Sequence, residues 1–193
     1  MISSGHVLLL WLGTPCNTWS LARRFDGIGP VPLRARPQVG EPAPWITTFE
    51  DLTRVRVANS LAELSAMLAL CITSVGGFYV IENPWTSMLW LHRPIINVLQ
   101  YTNAVTAQVH FCKYLLPWKK PTRLSGTLPG LLTLECLCTG VNGKCSFTGK
   151  RHVQLTGRSS TGEWLTHIAE PYPLGLCHDI ASLVRACLDV EHN

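Results

Sequence analysis

Charge is scarce in this chain. Only 15% of its 193 residues are Asp, Glu, Lys or Arg, and the acidic side chains number 12. Set against 47% hydrophobic residues, this excludes a disordered polyelectrolyte and describes a globular domain long enough to bury a substantial core. The shortage of acid leaves a formal net charge of +4, which is compatible with a polyanionic partner and specifies none. Targeting features are also missing. The apolar start, "HVLLLWLG", lacks a basic flank and a small-residue cleavage site, which argues against a secretory signal. The most apolar long stretch, "LSAMLALCITSVGGFYVI", contains Ser, Thr and a Gly-Gly break and changes from helical to strand periodicity. It reads as a buried helix followed by a buried strand, not as a membrane span. No internal repeat is visible. The eight cysteines include no C-x-x-C pair. Without a secretory context, the expected setting is intracellular and reducing, nuclear or cytoplasmic, with thiols as nucleophiles, metal ligands or core filler.

What is present alternates between strand and helix signals. "HVLLLWLG" is a continuous apolar run ending in Gly and Pro, the pattern of a strand buried on both faces. Residues 21–46 contain five prolines and predict a long functional or mobile loop. A helix is expected from Thr47, with Glu50 completing a capping box. Val57, Leu61, Leu64, Leu68 and Cys71 recur at helical spacing and predict its core-facing stripe, and Gly76 and Gly77 end it. "GFYVIENP" is a second buried strand. "TSMLWLHRPIINVLQY" predicts a helix with Pro94 at an interruption or a start. In "AVTAQVHF", Val105, Ala107, Val109 and Phe111 face one way, and Thr106, Gln108 and His110 the other. Strand, helix, strand, helix, strand predicts an α/β fold on a parallel sheet.

Ligands of such sheets bind beyond the carboxyl ends of the strands. The first strand ends in Pro15-Cys16 and the second in Glu82-Asn83-Pro84. If the two are parallel neighbours, a thiol and a carboxylate meet at one rim, where the thiol can add to an electrophile and the acid can donate a proton. Each residue also has a plainer reading. Cys16 can be a small buried hydrophobe, and Glu82 can cap the next helix or pair with an arginine. Trp19, Trp85 and Trp90 read as core or lid; Cys71, Cys177 and Cys187 read as packing.

"PCNTWS" followed by "VIENP" resembles the Pro-Cys and Glu-Asn-Val signatures of the cytosine-5 DNA methyltransferase family. The resemblance extends over residues 5–112, including a basic loop, "RRFDGIGPVPLRA". It is weaker over 167–190, where "AEPYPLGLCHDIASLV" is similar to the family's closing motif. Divergent viral or mobile-element copies are the nearest fit. The resemblance implies a partial Rossmann-like methyltransferase sheet. Cys16 would be the thiolate that adds to C6 of a flipped cytosine, Glu82 would hold N3, and Asn83 would shape the turn. The methyl donor would be S-adenosylmethionine. Ser20, Arg23, Arg24, Arg34 and Arg36 belong to the stretch that would close over DNA, the arginines on phosphates. The family pattern is incomplete here. Its glycine-rich cofactor motif lies upstream of the Pro-Cys strand, and only fifteen residues precede Cys16. The nearest match to its Gln-x-Arg-x-Arg strand is Gln108-Val109-His110-Phe111-Cys112, with His110 and Cys112 where the arginines should stand. The expectation is a truncated or degenerate enzyme, with a second chain or an upstream segment supplying the cofactor half.

Downstream, "CLCTGVNGKCSFTGKRH" places Cys136, Cys138, Cys145 and His152 within seventeen residues. Three thiolates and an imidazole make a tetrahedral zinc set, and Cys112 can replace Cys136 or Cys138. Lys144, Lys150 and Arg151 would turn such a knuckle toward phosphates. "LPWKKPTRLSG" sets Trp118 beside Lys119, Lys120 and Arg123, suiting nucleic acid by stacking and phosphate contact, or simply forming a solvated basic turn. The expected organisation is a catalytic core over 1–112, a short basic Cys/His insert over 113–165 and a C-terminal helical segment over 166–193. DNA is the expected partner, and no membrane. Two alternatives stand beside a methyltransferase-like function. One is a non-catalytic nucleic-acid-binding zinc module of a mobile element. The other is an unrelated thiol enzyme using Cys16 with His6 or His110.

Overall fold

The computed structural model describes residues 6–25 and 30–190. The centre of the basic loop, residues 26–29, lies outside the described residues. Strands β1, Leu9–Gly13, and β2, Phe78–Pro84, are parallel and hydrogen-bonded, with Leu9 opposite Phe78 and Gly13 opposite Glu82. Helix α1, Phe49–Ser74, connects them, and α2, Arg93–Tyr101, follows β2. Pro94 stands in the first turn of α2, where its missing N–H costs nothing. Strands β3, Val105–His110, and β4, Pro121–Gly126, complete a mixed four-stranded sheet of order β1-β2-β4-β3. Helices α3, Leu165–Ile168, and α4, Leu174–Val190, come last.

This is an α/β fold, but the sheet is not all parallel. "PTRLSG", read from sequence as part of a basic turn, is β4, and it lies between β2 and β3. Gly126 permits that position, because a Cβ there would stand 1.9 Å from the carbonyl oxygen of Tyr79. The chain divides into two compact units, Met1–Thr106 with Arg123–Leu128, and Ala107–Thr122 with Pro129–Asn193. The sequence had suggested breaks after 112 and 165.

In the first unit α1 begins one residue later than expected. Thr48 is the N-cap, and its hydroxyl accepts from the Asp51 N–H. The predicted core stripe is overturned. Ala58, Ala62, Ala66, Ala69 and Ile72 are buried, whereas Val57, Leu61 and Leu64 are 53%, 38% and 47% exposed, Leu68 is half-buried and Cys71 is exposed. The facing core already holds the large side chains of Tyr79, Ile81 and Trp19. Close packing then selects small residues on the helix, and its bulky stripe is left outside. Cys177 is likewise exposed and Cys187 half-buried, so neither thiol is the core filler the sequence suggested.

The long loop is anchored rather than free over residues 30–46. Leu33, Ala43 and Ile46 pack with Val55 of α1. Arg34 lies over Trp19, its guanidinium carbon 3.3 Å from the ring centroid. Its Nε and Nη2 donate to Thr18 Oγ1 at 3.3 and 3.1 Å, Nη1 to the Val39 carbonyl at 2.6 Å and Asn59 Oδ1 at 2.8 Å, and Nη2 also to the Val55 carbonyl at 3.2 Å. Burial pulls its pKa down to about 10. Arg34 is therefore a core tie and not the phosphate contact the sequence suggested. Arg34→Met would orphan Thr18, Asn59 and two carbonyls, so it is expected to cost about 3 kcal/mol. Calorimetry should show a melting temperature lower by roughly 10 °C, while Arg24→Met, at an exposed position, stays within about 0.5 kcal/mol of the native chain.

Candidate functional site

The β1–β2 register sets the first site. Gly13 pairs with Glu82 across a parallel ladder, so the segments following both strands leave the sheet at the same rim. Two further bonds join these segments. Asn83 Nδ2 donates to the Thr14 carbonyl at 2.6 Å, and the Met88 N–H donates to the Trp19 carbonyl at 2.9 Å. Cys16 opens a tight turn in which its carbonyl accepts from the Trp19 N–H at 3.0 Å, and its side chain is half-buried. Glu82 is buried at 8% exposure. Asn83 is buried too, and its Oδ1 has no hydrogen-bond partner among the described residues. An unmet buried acceptor suits a polar ligand or an ordered water.

Arg123 adds a cation on the same unit. Its guanidinium lies 4.4 Å over the Trp90 ring, Nε donates to Ser125 Oγ at 2.8 Å and Nη2 to Thr106 Oγ1 at 3.3 Å. The Trp90 indole N–H in turn donates to the Pro84 carbonyl at 2.9 Å, which links Arg123 to the Glu82-Asn83-Pro84 turn. Burial lowers the Arg123 pKa, and no carboxylate lies within ion-pair distance among the described residues. Trp19 and Trp90 are core, as read; Trp85 is 39% exposed. Glu82 is not the cap of the next helical turn, since Ser87 fills that role toward the Leu89 N–H.

The remaining basic candidates divide. Arg24 and Arg36 are exposed. Arg23 is half-buried, with Nε on the Asn17 carbonyl at 2.9 Å and Nη1 on the Val31 carbonyl at 3.0 Å. The Ser20 hydroxyl accepts from the Ala22 N–H at 3.1 Å. In the second unit Lys119 is half-buried. Lys120 is committed to structure. Its ammonium donates to the Ala169 carbonyl at 2.6 Å and the Glu170 carbonyl at 3.3 Å, and sits 4.6 Å over the Phe111 ring. These partners take Lys120 out of the phosphate-binding set.

S-adenosylmethionine does not fit the described residues. The turn after β1 is Thr14-Pro15-Cys16 and that after β2 begins at Trp85-Thr86, and neither provides a glycine-rich turn to face the cofactor's ribose or methionine carboxylate. A cavity of about 490 Å³ borders Pro15, Asn17 and Thr18, but its other wall is largely the apolar flank of α1, with Phe49, Val57 and Leu61.

The second site is a Cys/His cluster in the second unit. Cys112, Cys138, Cys145 and His152 bring their ligand atoms within 4.8 Å of one another, a set able to hold a metal ion. Cys138 Sγ lies 3.9 Å from Cys145 Sγ and 3.7 Å from His152 Nε2. A tetrahedral ion with metal–sulfur bonds near 2.3 Å needs ligand separations of about 3.8 Å. The set differs from the first sequence choice. Cys136 is outside it, with its thiol 3.9 Å from the His110 carbonyl. Cys112, from the short helical turn Phe111–Tyr114 after β3, takes its place.

The cluster is built locally. Lys144 and Arg151 bridge as a short antiparallel pair, the Cys145 N–H donates to the Lys150 carbonyl at 2.7 Å, and the His152 N–H to the Gly143 carbonyl at 2.9 Å. Gly140 is required here, because a Cβ would lie 1.8 Å from the Lys144 carbonyl oxygen. Burial works to raise the Cys138 pKa. Hydrogen bonds from the Ser146 hydroxyl and N–H, and from the Gly140 N–H, outweigh it and bring it down to about 6, which favours the ligating thiolate. Burial pushes the Cys112 thiol up. His110 was missed as a supporting residue. Its Nδ1 accepts from the Cys138 N–H at 2.7 Å, its Nε2 lies 2.9 Å from Gln108 Nε2, and burial followed by the charges of Lys119 and His152 lowers its pKa to about 4. The alternation of β3 put Gln108 and His110 on one face; nothing local pointed that face at Cys138.

Elemental analysis of protein purified without chelator is expected to find one metal ion per chain. Cys112→Ser should lose it, whereas Cys136→Ser should retain it, the opposite of what the first sequence choice requires.

No family model matches the chain, and neither a curated protein nor a solved structure does.

Proposed function

We propose that this chain is the nucleophile-bearing part of a DNA cytosine-5 methyltransferase-like enzyme and works with a separate cofactor half. The carrying observation is the parallel pairing of Gly13 with Glu82, reinforced by the Asn83–Thr14 bond, which gives the Pro-Cys and Glu-Asn-Pro segments a common rim. The mixed sheet is then part of a Rossmann-like methyltransferase sheet. Cys16 adds as the thiolate to C6 of an extruded cytosine. The S–C6 bond forms, the C5=C6 π pair is displaced into the ring, and N3 takes a proton from the Glu82 carboxylic acid. The product is an enamine with C5 as its nucleophilic carbon. Extruding the base costs a few kcal/mol of pairing and stacking. Arg24, Arg36 and Arg123 supply positive charge for phosphates. The methyl group would come from S-adenosylmethionine held by the other half. The cluster of Cys112, Cys138, Cys145 and His152 takes zinc as a structural staple, because thiolate-rich tetrahedral sets select it.

A second reading is favoured by that cluster itself. Lys144, Lys150 and Arg151 are exposed around it, as suits a zinc-stapled nucleic-acid-binding module without catalysis. The unrelated thiol enzyme gains no support from His110, whose two ring nitrogens are engaged at Cys138 and Gln108.

An oligonucleotide with 2-pyrimidinone in place of cytosine tests the addition step without any cofactor. A covalent adduct is expected on a denaturing gel. It should be absent in Cys16→Ser and form at least roughly 100-fold more slowly in Glu82→Gln. DNA binding with no adduct would select the second reading. In salt titrations, Arg123→Gln is expected to reduce the slope of log K against log salt by about 1, with the melting temperature lowered by a few degrees because Ser125 and Thr106 lose their donor and Trp90 its cation.

A further inference from the structure

Residues 136–162 contain no Asp or Glu, yet they carry Lys144, Lys150, Arg151 and Arg158. Three of these cations belong to one hairpin of the second unit. Lys144 and Arg151 stand directly opposite each other in an antiparallel bridge. The turn between them is closed by the Cys145 N–H on the Lys150 carbonyl at 2.7 Å and the Gly149 N–H on the Cys145 carbonyl at 2.8 Å. Opposed residues of such a pair share a face, and their neighbours take the other. Cys145 and His152 belong to the cluster, so Lys144 and Arg151 turn away from it, and both are exposed.

Like charges set directly opposite each other destabilise a strand pair. Nothing in the chain offsets them here. None of Lys144, Lys150 and Arg151 has a carboxylate within ion-pair distance among the described residues. Opposed cations that the fold neither needs nor neutralises suit an anion from outside. The same turn carries Phe147 at its tip, 44% exposed. No other ring and no cation of the chain lies against it among the described residues. Gly149, two residues on, has φ +68° and open space where a side chain would begin, so the approach to the turn is clear. An unpartnered ring mounted between uncommitted cations is a stacking platform with phosphate contacts beside it.

We infer that this hairpin binds single-stranded nucleic acid: Phe147 stacks an unpaired base, and Lys144, Lys150 and Arg151 hold the flanking phosphates. The claim deepens the second reading above by naming its partner, rests on that reading's stapled cluster, and needs no chemistry at Cys16. A single strand is favoured over a duplex for two reasons. A ring stacks only on a base whose face is free. Residues 136–164 also contain no helix, and no strand beyond isolated bridges, to lie in a groove. A lipid surface fits less well. The exposed Val141 and Phe147 belong to two different turns, and no amphipathic helix gathers them into one insertable face.

The test is fluorescence anisotropy with the full chain, purified without chelator, and labelled oligothymidylate, oligouridylate and a DNA duplex of equal length. Both single strands are expected to bind at least roughly tenfold more tightly than the duplex. A preference between them identifies the sugar and keeps the site. Lys144→Gln/Arg151→Gln should lower the slope of log K against log salt by about 1.4, at roughly 0.7 per phosphate contact on a single strand. Phe147→Ala should weaken binding roughly tenfold, leave the slope unchanged and be rescued by Phe147→Trp. None of these positions is a metal ligand, so metal content should stay at that of the native chain, which separates lost contacts from a lost fold. No binding to either strand would overturn the site. So would equal affinity for the duplex with a silent Phe147→Ala, which leaves only unspecific charge. Binding that survives both hairpin variants and is lost in Arg123→Gln would overturn it by moving the strand to the first unit. Phe147-dependent binding to phosphatidylcholine–phosphatidylserine vesicles, with none to the oligonucleotides, would assign the turn to a membrane instead. Hairpin-dependent binding by a metal-free chain rejects the staple alone. Adduct formation at Cys16 is read separately. An adduct without hairpin-dependent binding rejects this site alone, and hairpin-dependent binding without an adduct rejects the methyltransferase reading alone.

Discussion

The pairing of β1 with β2 is the constraint on which the first site depends. Parallel strands place their carboxyl ends side by side, and a register slip of one residue would reverse every side chain. Here Gly13 faces Glu82, and the Asn83 amide reaches the Thr14 carbonyl one residue past the strand. The Met88–Trp19 bond repeats the tie further out. The position of Cys16 therefore does not depend on a loop finding its place unaided. The turn carrying it is bound at both ends to the segment carrying the carboxylate.

Trp19 extends that order into the loop. It is fully buried, packs at a tilt against His92 with ring centroids 5.0 Å apart, and supports the Arg34 guanidinium. Arg34 then fastens the loop to α1 through Val55 and Asn59. A buried guanidinium satisfied by carbonyls, a hydroxyl and an amide, with no carboxylate, is held by geometry as much as by charge. Asn59 closes the arrangement by donating to the Gly40 carbonyl at 2.6 Å.

Much of this was legible in the sequence. The apolar runs gave β1 and β2, Pro94 marked the start of α2, and the strand-end signatures gave the rim. What failed did so for identifiable reasons. Periodicity finds apolar stripes but not the side they face, and α1 has two; the alanines won the interior because the sheet had already filled the space. Strand β4 was hidden by its lysine- and proline-rich approach, and only the glycine at 126 hinted at a close backbone contact. Arg34 looked like its exposed neighbours Arg24 and Arg36 because nothing in a linear string reveals four acceptors converging from Thr18, Val39, Val55 and Asn59. Cys112 lost first place among the ligands because proximity in sequence favoured Cys136, and proximity in space is set by the turn that follows β3.

That turn gives the cluster a further property. One ligand comes from the turn after β3 and three from residues 138–152, so an ion there would clasp two stretches of the second unit that are distant in sequence. The same arrangement brings Cys138 and Cys145 to 3.9 Å, with Cys138 already inclined to be a thiolate. Sulfurs joined as a disulfide no longer serve as thiolate ligands, so oxidation and metal loading compete for the same atoms. Loading of such an ion would therefore depend on the redox state of its surroundings, with reductant keeping both sulfurs available.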